Sequence, residues 1–292
     1  MRPTLRIALV ALALLAACAN PCTAADLWAR QNLAAWCIVP YDAAKRDAAA
    51  RAEMLDRLKI RRLAYDWRAE HVASFDTEVT TMQAHRIEIV AWWFPTTLNA
   101  DARTILDVIT RHGIHQQLWV TGAGAATKDA AEQEARIASE VARLRPIVAA
   151  AAKLGCKVGL YNHGGWFGEP ENQLAVLAQL QRDGAAHVGL VYNFHHGHDH
   201  LDRFAEFWPK IQRHVLAVNL NGMIAGGDKV GKKLLTLGQG DRELGLMRII
   251  QASGWRGLVG VLNHRTDVDA EVGLRENIAG LERLVAQINT KK

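Results

Sequence analysis

Four apolar runs in the second half of the chain each end in the same kind of polar tip, and this repetition restricts the fold more than any other feature. Residues 157–160 lead into Tyr161-Asn162-His163-Gly164-Gly165-Trp166, and residues 188–191 into Tyr192-Asn193-Phe194-His195-His196-Gly197-His198. Residues 215–218 lead into Asn219-Leu220-Asn221-Gly222, and residues 258–262 into Asn263-His264. An apolar run of four or five residues bounded by turn signals reads as a strand buried on both faces. Amide and imidazole side chains at its C-terminal end, repeated strand after strand, are groups delivered to one shared rim. A closed parallel barrel builds its active site in this way.

The first half obeys the same alternation. Strands are expected at residues 33–39, 62–65, 88–94 and 117–120, with helices at 45–58, 75–85, 100–112 and 130–154, the last interrupted near Pro146. The four later strands alternate with helices at 172–182, 201–211, 242–252 and 268–288. Eight strands and eight helices at βα spacing predict a single (β/α)₈ barrel domain over residues 26–292. A doubly wound open sheet is the competing architecture. It usually carries a glycine-rich phosphate loop after its first strand, and Trp36-Cys37-Ile38-Val39-Pro40-Tyr41-Asp42 does not resemble one. The glycine-rich stretch at residues 225–233 lacks phosphate-loop spacing and reads as a mobile loop after the seventh strand.

Residues 1–25 stand apart. Arg2 and Arg6 precede an unbroken apolar run at residues 7–17, too short for a membrane span and ending in small residues, which predicts a signal peptide. Leu15-Ala16-Ala17-Cys18 resembles a lipobox, which would anchor the protein by a lipid on Cys18. Cys22-Thr23-Ala24-Ala25 offers ordinary cleavage before Asp26. Either ending places the protein in the periplasm or outside the cell. Cys37 and Cys156 fall near strands one and five, on opposite walls of an eight-stranded barrel, so buried free thiols are expected. The net charge of +5 is spread without a basic run, which argues against a nucleic-acid partner.

Several side chains are candidates for the rim. His163 and His196 follow strands five and six directly. Asp66 and Arg68 follow strand two at a spacing that puts both on one side of an extended segment, either as a substrate anchor or as a structural ion pair. Trp36, Trp93 and Trp166 lie at strand ends, where rings suit the apolar face of a sugar. His198 and His200 read as polar loop surface. Asp267 and Asp269 read as caps of the last helix.

At residues 160–165, 191–196 and 219–222 the chain resembles the xylose isomerase-like TIM barrel superfamily, which includes sugar isomerases, sugar epimerases and endonuclease IV relatives. The similarity runs from Leu33 to Ile288. Exported members of the group look most like this chain, through segments resembling Trp36-Cys37-Ile38, Tyr65-Asp66-Trp67-Arg68 and Leu237-Gly238-Gln239-Gly240. The resemblance implies a small carbohydrate substrate.

The departures from the group are chemical. Its metal-dependent members end strand five in a glutamate, where this chain has Tyr161 before Asn162 and His163. Their strand-six aspartate and the histidine three residues on correspond to Asn193 and His196. The strand-seven histidine corresponds to Asn219, and the strand-eight glutamate to Asn263. Amides and a phenol offer dipoles without the charge that hard divalent ions require, so no cofactor is expected at the usual position. A zinc site on His163, His196 and His198 is the alternative use of the histidines. Glu169 is the nearest stand-in for the strand-five carboxylate, although it and Glu171 also read as solvated loop acids.

The expected function is therefore proton transfer next to a sugar carbonyl, with His163 or His196 as acid or base. Asn162, Asn193, Asn219, Asn221 and Asn263, with His195, His264, Trp93 and Trp166, would bind substrate. Asp66, Arg68 and Glu169 complete that expected binding set. The alternative is a non-catalytic carbohydrate-binding barrel. A DNA-repair nuclease ranks third, for want of the many metal ligands it needs.

Overall fold

The computed structural model describes residues 27–290; the predicted leader, with Cys18 and Cys22, lies outside them. Eight parallel strands close into one barrel in sequence order. They are β1 Leu33–Trp36, β2 Arg62–Tyr65, β3 Glu88–Phe94, β4 Gln117–Val120, β5 Lys157–Tyr161, β6 Val188–Asn193, β7 Val215–Leu220 and β8 Leu258–Leu262. The ring closes where Leu33 to Trp36 pair with Val259 to Leu262. The helices outside it are α1 Ala48–Leu58, α2 Phe75–Ala84, α3 Ala100–His112, α4 Ala130–Lys153, α5 Pro170–Arg182, α6 Phe204–Ile211, α7 Glu243–Ala252 and α8 Ala270–Asn289.

Differences from expectation fall at element ends. β1 stops at Trp36 because Cys37 adopts a left-handed backbone (φ 52°), which ends strand geometry. α1 begins at Ala48 rather than Lys45; Lys45 is itself left-handed, and the Asp47 side chain accepts from the Ala50 amide at 2.9 Å. α4 runs unbroken through Pro146, because its buried stripe of Val141, Leu144, Ile147 and Val148 continues on both sides of it. Asp269 caps α8 as expected, accepting from Glu271. Cys37 and Cys156 are buried free thiols.

Side-chain volume explains how the barrel closes around its contents. Strand alternation sends every second residue inward, and at many inward positions the residue is tiny: Ala34, Ala64, Ala91, Ala217, Gly159 and Gly260. Their smallness makes room for Trp36, Trp93, Trp119 and Tyr161. A Cβ on Gly260 would lie 2.2 Å from the Trp36 ring, and one on Gly159 would lie 2.8 Å from Trp119. Trp36 and Trp119 pack at 4.1 Å between ring centroids, and Trp93 meets them edge-on at 5.5 and 4.8 Å. Four aromatic rings thus plug the barrel beneath its C-terminal mouth.

The long connection from β7 to α7 is built, not loose. Glu243 accepts three backbone amides, from Met223 (3.0 Å), Gly238 (3.0 Å) and Gly240 (2.9 Å). Asn277 of α8 accepts from the Leu237 amide at 2.9 Å. Gly222 pairs with Leu235, and Lys232 N–H reaches Gly227 O at 2.7 Å, so the segment read as a mobile glycine loop doubles back on itself.

The volume argument predicts that Gly260→Ala costs about 1–3 kcal/mol by overpacking against Trp36. Gly245→Ala, in α7 with open space around the added carbon, should stabilise by about 0.5–1 kcal/mol. Chemical denaturation of both variants checks this; equal midpoints would refute the packing account.

Candidate active site

Above the aromatic plug lies a row of imidazoles. Tyr161, the plug's ring nearest the mouth, has His163 at 6.0 Å and His196 at 5.9 Å. From there the rings run His163–His196 at 4.3 Å, His196–His195 at 4.6 Å and His195–His264 at 4.5 Å, and Tyr41 stacks on His264 at 3.9 Å. His163 is exposed, His196 and His264 are half-buried, and His195 is buried. The row forms because β5, β6 and β8 end at one rim. At β8 a left-handed His264 (φ 51°) turns the chain, and its amide donates to Cys37 O at 3.1 Å. Two non-glycine left-handed residues side by side are local strain gathered at the mouth.

Burial governs the charge state of these rings. Loss of solvation is the largest influence on all four, pushing His195 down to about 3 and His264 down to about 4, with His196 and His163 also lowered. Neighbouring positive charge adds to it: Lys233 acts on every ring of the row, and Arg68 on His163 and His264. The imidazoles are therefore neutral near pH 7, each with one lone pair and one N–H. The Nδ1 atoms of His195 and His264 are buried without a partner.

Across the barrel from β5 and β6, at the end of β2, stands Asp66, 1% exposed. One carboxyl oxygen accepts from the Val39 amide at 3.3 Å, and the other has no partner. Burial outweighs the pull of Arg68 and the Val39 amide, and pushes this carboxyl up to about 7. Of the two readings open for Asp66 and Arg68, the ion pair does not form. Arg68 instead donates to the carbonyls of Asp66 (2.9 Å) and Trp67 (2.7 Å) and to Tyr41 Oη (3.1 Å). Cys37, beside Asp66, is a buried thiol whose pKa burial raises well above the usual value.

The amides form a girder rather than a ring of free donors. Asn162 accepts from Asn193 N (2.7 Å) and donates to Asn193 O (3.2 Å), clipping β5 to β6. Asn193 Nδ2 donates to the Tyr161 phenol at 2.6 Å, and its Oδ1 accepts from Asn219 (2.7 Å) and the His195 amide (3.0 Å). Asn162, Asn193 and Asn219 thus hold the rim in place, and only Asn219 Oδ1 is unpartnered.

Five further candidates lie away from the imidazole row. Asn263 has outward strand parity and donates to Tyr41 O, while a Cβ on Gly273 of α8 would touch its Oδ1. Asn221 donates to Gly222 O at 3.0 Å and shares a small cleft with Asn263 and Asn277. Trp166 donates to Gln133 of α4 at 2.7 Å and lines a separate 420 Å³ groove between the β4 and β5 loops. Glu169 is held by Arg203 and His200, with Arg203 also gripping Glu171 at 2.7 Å, so its carboxylate ties two loops together. His198 faces Lys233 O at 3.3 Å. His198 acts electrostatically on His195, but among the described residues His163, His196 and His198 do not gather into a metal-holding group.

Lys233, whose charge acts on all four rings, was not among the residues expected at the site. It is half-buried and belongs to the folded-back β7–α7 connection.

No protein-family model matches the sequence, and no curated protein matches it. Solved structures do. 3-Keto-D-glucoside 4-epimerase from E. coli is 12% identical, covering 88% of this chain and 99% of its own, with a TM-score of 0.61. The IOLI protein with a bound zinc atom is 14% identical over 88% of this chain and 98% of its own, TM-score 0.65. A xylose isomerase domain protein from Alicyclobacillus acidocaldarius is 18% identical over 89% of this chain and 100% of its own, TM-score 0.63. The chain has the xylose isomerase-like barrel fold.

Within this xylose isomerase-like barrel the strand ends do not fit a divalent ion. Tyr161, Asn193 and Asn219 bond to one another, and Asn263 faces outward. Among the described residues no three His, Cys, Asp or Glu side chains are grouped to hold a metal.

Neutral buried imidazoles predict acid lability. The unfolded chain protonates these rings below about pH 6.5, whereas the folded rings stay neutral to about 4 or below for His264 and His195. The folded state then binds fewer protons, and stability falls as pH drops from 7 towards 4. Asp66 acts in the opposite sense: folded, it keeps its proton up to about 7, so its contribution falls as pH rises from 4 to 7. Several rings outweigh one carboxyl, so the thermal midpoint should drop between pH 7 and 5, and His195→Gln with His196→Gln should flatten the drop. A midpoint equally steep in that double variant would count against this assignment.

Proposed function

We propose that the protein is an enzyme of the sugar isomerase or epimerase type, moving a proton on a carbon next to a carbohydrate carbonyl. One observation carries the reading. Neutral His163 and His196 stand 4.3 Å apart over the Tyr161 ring of the aromatic floor, and at the end of β2 the same barrel end holds a buried carboxyl, Asp66, that burial pushes up to about 7. The names of two structural neighbours, a keto-glucoside epimerase and a D-tagatose 3-epimerase-like protein, support the choice of substrate class.

The chemistry follows from the charge states. A sugar stacks its apolar face on half-buried Trp93 and on Tyr161. His163, neutral and open to solvent, removes the proton from the carbon beside the carbonyl. The C–H electron pair moves into the carbonyl and leaves an enolate. N–H groups of His196 and His195 hold the developing oxygen charge in a desolvated setting. Return of a proton from Asp66 to the opposite face inverts the carbon; return by His163 to the former carbonyl carbon, with the proton of the adjacent hydroxyl passing to the enolate oxygen, moves the carbonyl and isomerises the sugar. The reading includes export, on the strength of residues 1–25 alone, with cleavage before Asp26 or lipid attachment at Cys18.

The protein incubated in deuterated water with a panel of aldoses, ketoses and 3-keto-glycosides should place deuterium on carbon. His163→Ala and His196→Ala should each lose roughly 10²–10⁴ of that rate with little change in thermal midpoint, because both rings stand outside the packed core. Asp66→Asn should suppress epimerisation more than exchange. Sugar binding without exchange would overturn the reading in favour of a non-catalytic carbohydrate-binding barrel.

A further inference from the structure

Two cations act on the imidazole row, and neither is in an ion pair with a carboxylate among the described residues. Arg68 stands at the His264 end. Its guanidinium lies 5.4 Å from the centre of the Tyr41 ring, which stacks on His264. Two backbone carbonyls and the Tyr41 hydroxyl fix its orientation, and a guanidinium carries five N–H donors, so donors remain beyond these contacts. Lys233 lies in the β7–α7 connection. Its backbone carbonyl is held by His198 (3.3 Å) and by the Asn221 side-chain amide (3.4 Å), which fixes this part of the connection to the loop after β6 and the end of β7. Both charges are felt by His163, the candidate base.

The mouth holds little to balance them. Asp66, at the end of β2, is buried, and burial pushes its carboxyl up to about 7. Glu169 is bound by Arg203, and the amides neutralise nothing. The row itself presents neutral rings with orphaned buried nitrogens on His195 and His264. A half-buried pair of cations over neutral donors is a positive potential focused in a concave site. It is matched by an anion whose oxygens accept charge-assisted hydrogen bonds from both sides.

We propose that the mouth takes a carbohydrate carrying an anionic group, a carboxylate or a phosphate, held between Lys233 and Arg68 while the sugar ring lies on Trp93 and Tyr161. The proposal rests on the proton-transfer reading for its sugar, and it extends that reading by giving the substrate its charge. The same cations would also stabilise the enolate. Anchoring and rate are therefore served by one field, and a neutral sugar would lack the anchor.

The test begins with inorganic phosphate, titrated into the full chain while imidazole resonances are followed by NMR. Saturable shifts of His163 and His264 are expected, weakened by added salt. Lys233→Gln and Arg68→Gln should each weaken binding by about tenfold or more, the loss expected of one charge-assisted hydrogen bond. Lys233→Arg and Arg68→Lys, which keep the charge, should retain most of it and show that the site is still folded. D-Glucuronate and D-glucose 6-phosphate should displace phosphate, the stronger competitor identifying carboxylate or phosphate as the natural anion, and D-glucose should not.

No saturable shift, an unchanged affinity in Lys233→Gln, or equal competition by D-glucose would overturn the proposal. Its failure is separable from that of the proton-transfer reading. Deuterium exchange in a neutral sugar without phosphate binding sinks the anion site alone. Phosphate binding lost in Lys233→Gln, without exchange in any sugar, sinks proton transfer and leaves the anion site standing.

Discussion

Everything above the barrel rests on four aromatic rings inside it. Trp36, Trp93, Trp119 and Tyr161 fit only because Gly159 and Gly260 contribute no side chain on the facing strands. A barrel interior of this size fills with side chains and leaves no channel. Here the filling is pushed to the C-terminal end, so the floor of the mouth is a hard apolar surface. The polar groups of β5, β6 and β8 can only stand on top of it. Their crowding into a row follows from that floor as much as from their own contacts.

Desolvation then supplies the chemistry. An imidazole in water is partly protonated near neutrality, but these rings pack against tyrosine rings and one another with two cations nearby, and they lose the proton. The same loss of solvent acts on Asp66 with the opposite result, holding a proton that a surface aspartate would release. Like environments drive a base towards neutrality and an acid towards neutrality. A mouth without net negative charge follows, although polar atoms line it. This arrangement differs from a metal centre, where carboxylates offset an ion; here the amides at those strand ends bind each other.

The barrel was legible because each strand carried its own signal: an apolar run of the right length with turn residues behind it. Seven of the eight strands begin where the runs begin and end within two residues of the expected place. β1 ends three residues early because a left-handed cysteine leaves no trace in hydropathy. The site was legible in part. His163, His195, His196, His264, Asp66 and Trp93 could be placed at the mouth from strand position alone. Asn263 was misplaced because strand parity sends it outward and its neighbour His264 inward. Trp166 and Glu169 were misplaced because their partners, Gln133 and Arg203, lie 33 and 34 residues away in sequence. Lys233 was missed because its position depends on hydrogen bonds within a long connection, and no local pattern encodes those.

Glu243 deserves a last consequence. By collecting the amides of Met223, Gly238 and Gly240, it gives the β7–α7 connection a closed base that does not depend on the residues between. The barrel is thus mechanically insulated from that stretch. Insertions, deletions and exchanges there can accumulate without disturbing strand register, while each one moves the groups hanging over the mouth. In evolutionary terms the connection is an interchangeable part: a lineage can change the charge offered to the mouth by rewriting about a dozen residues while the strand ends beneath them keep their register.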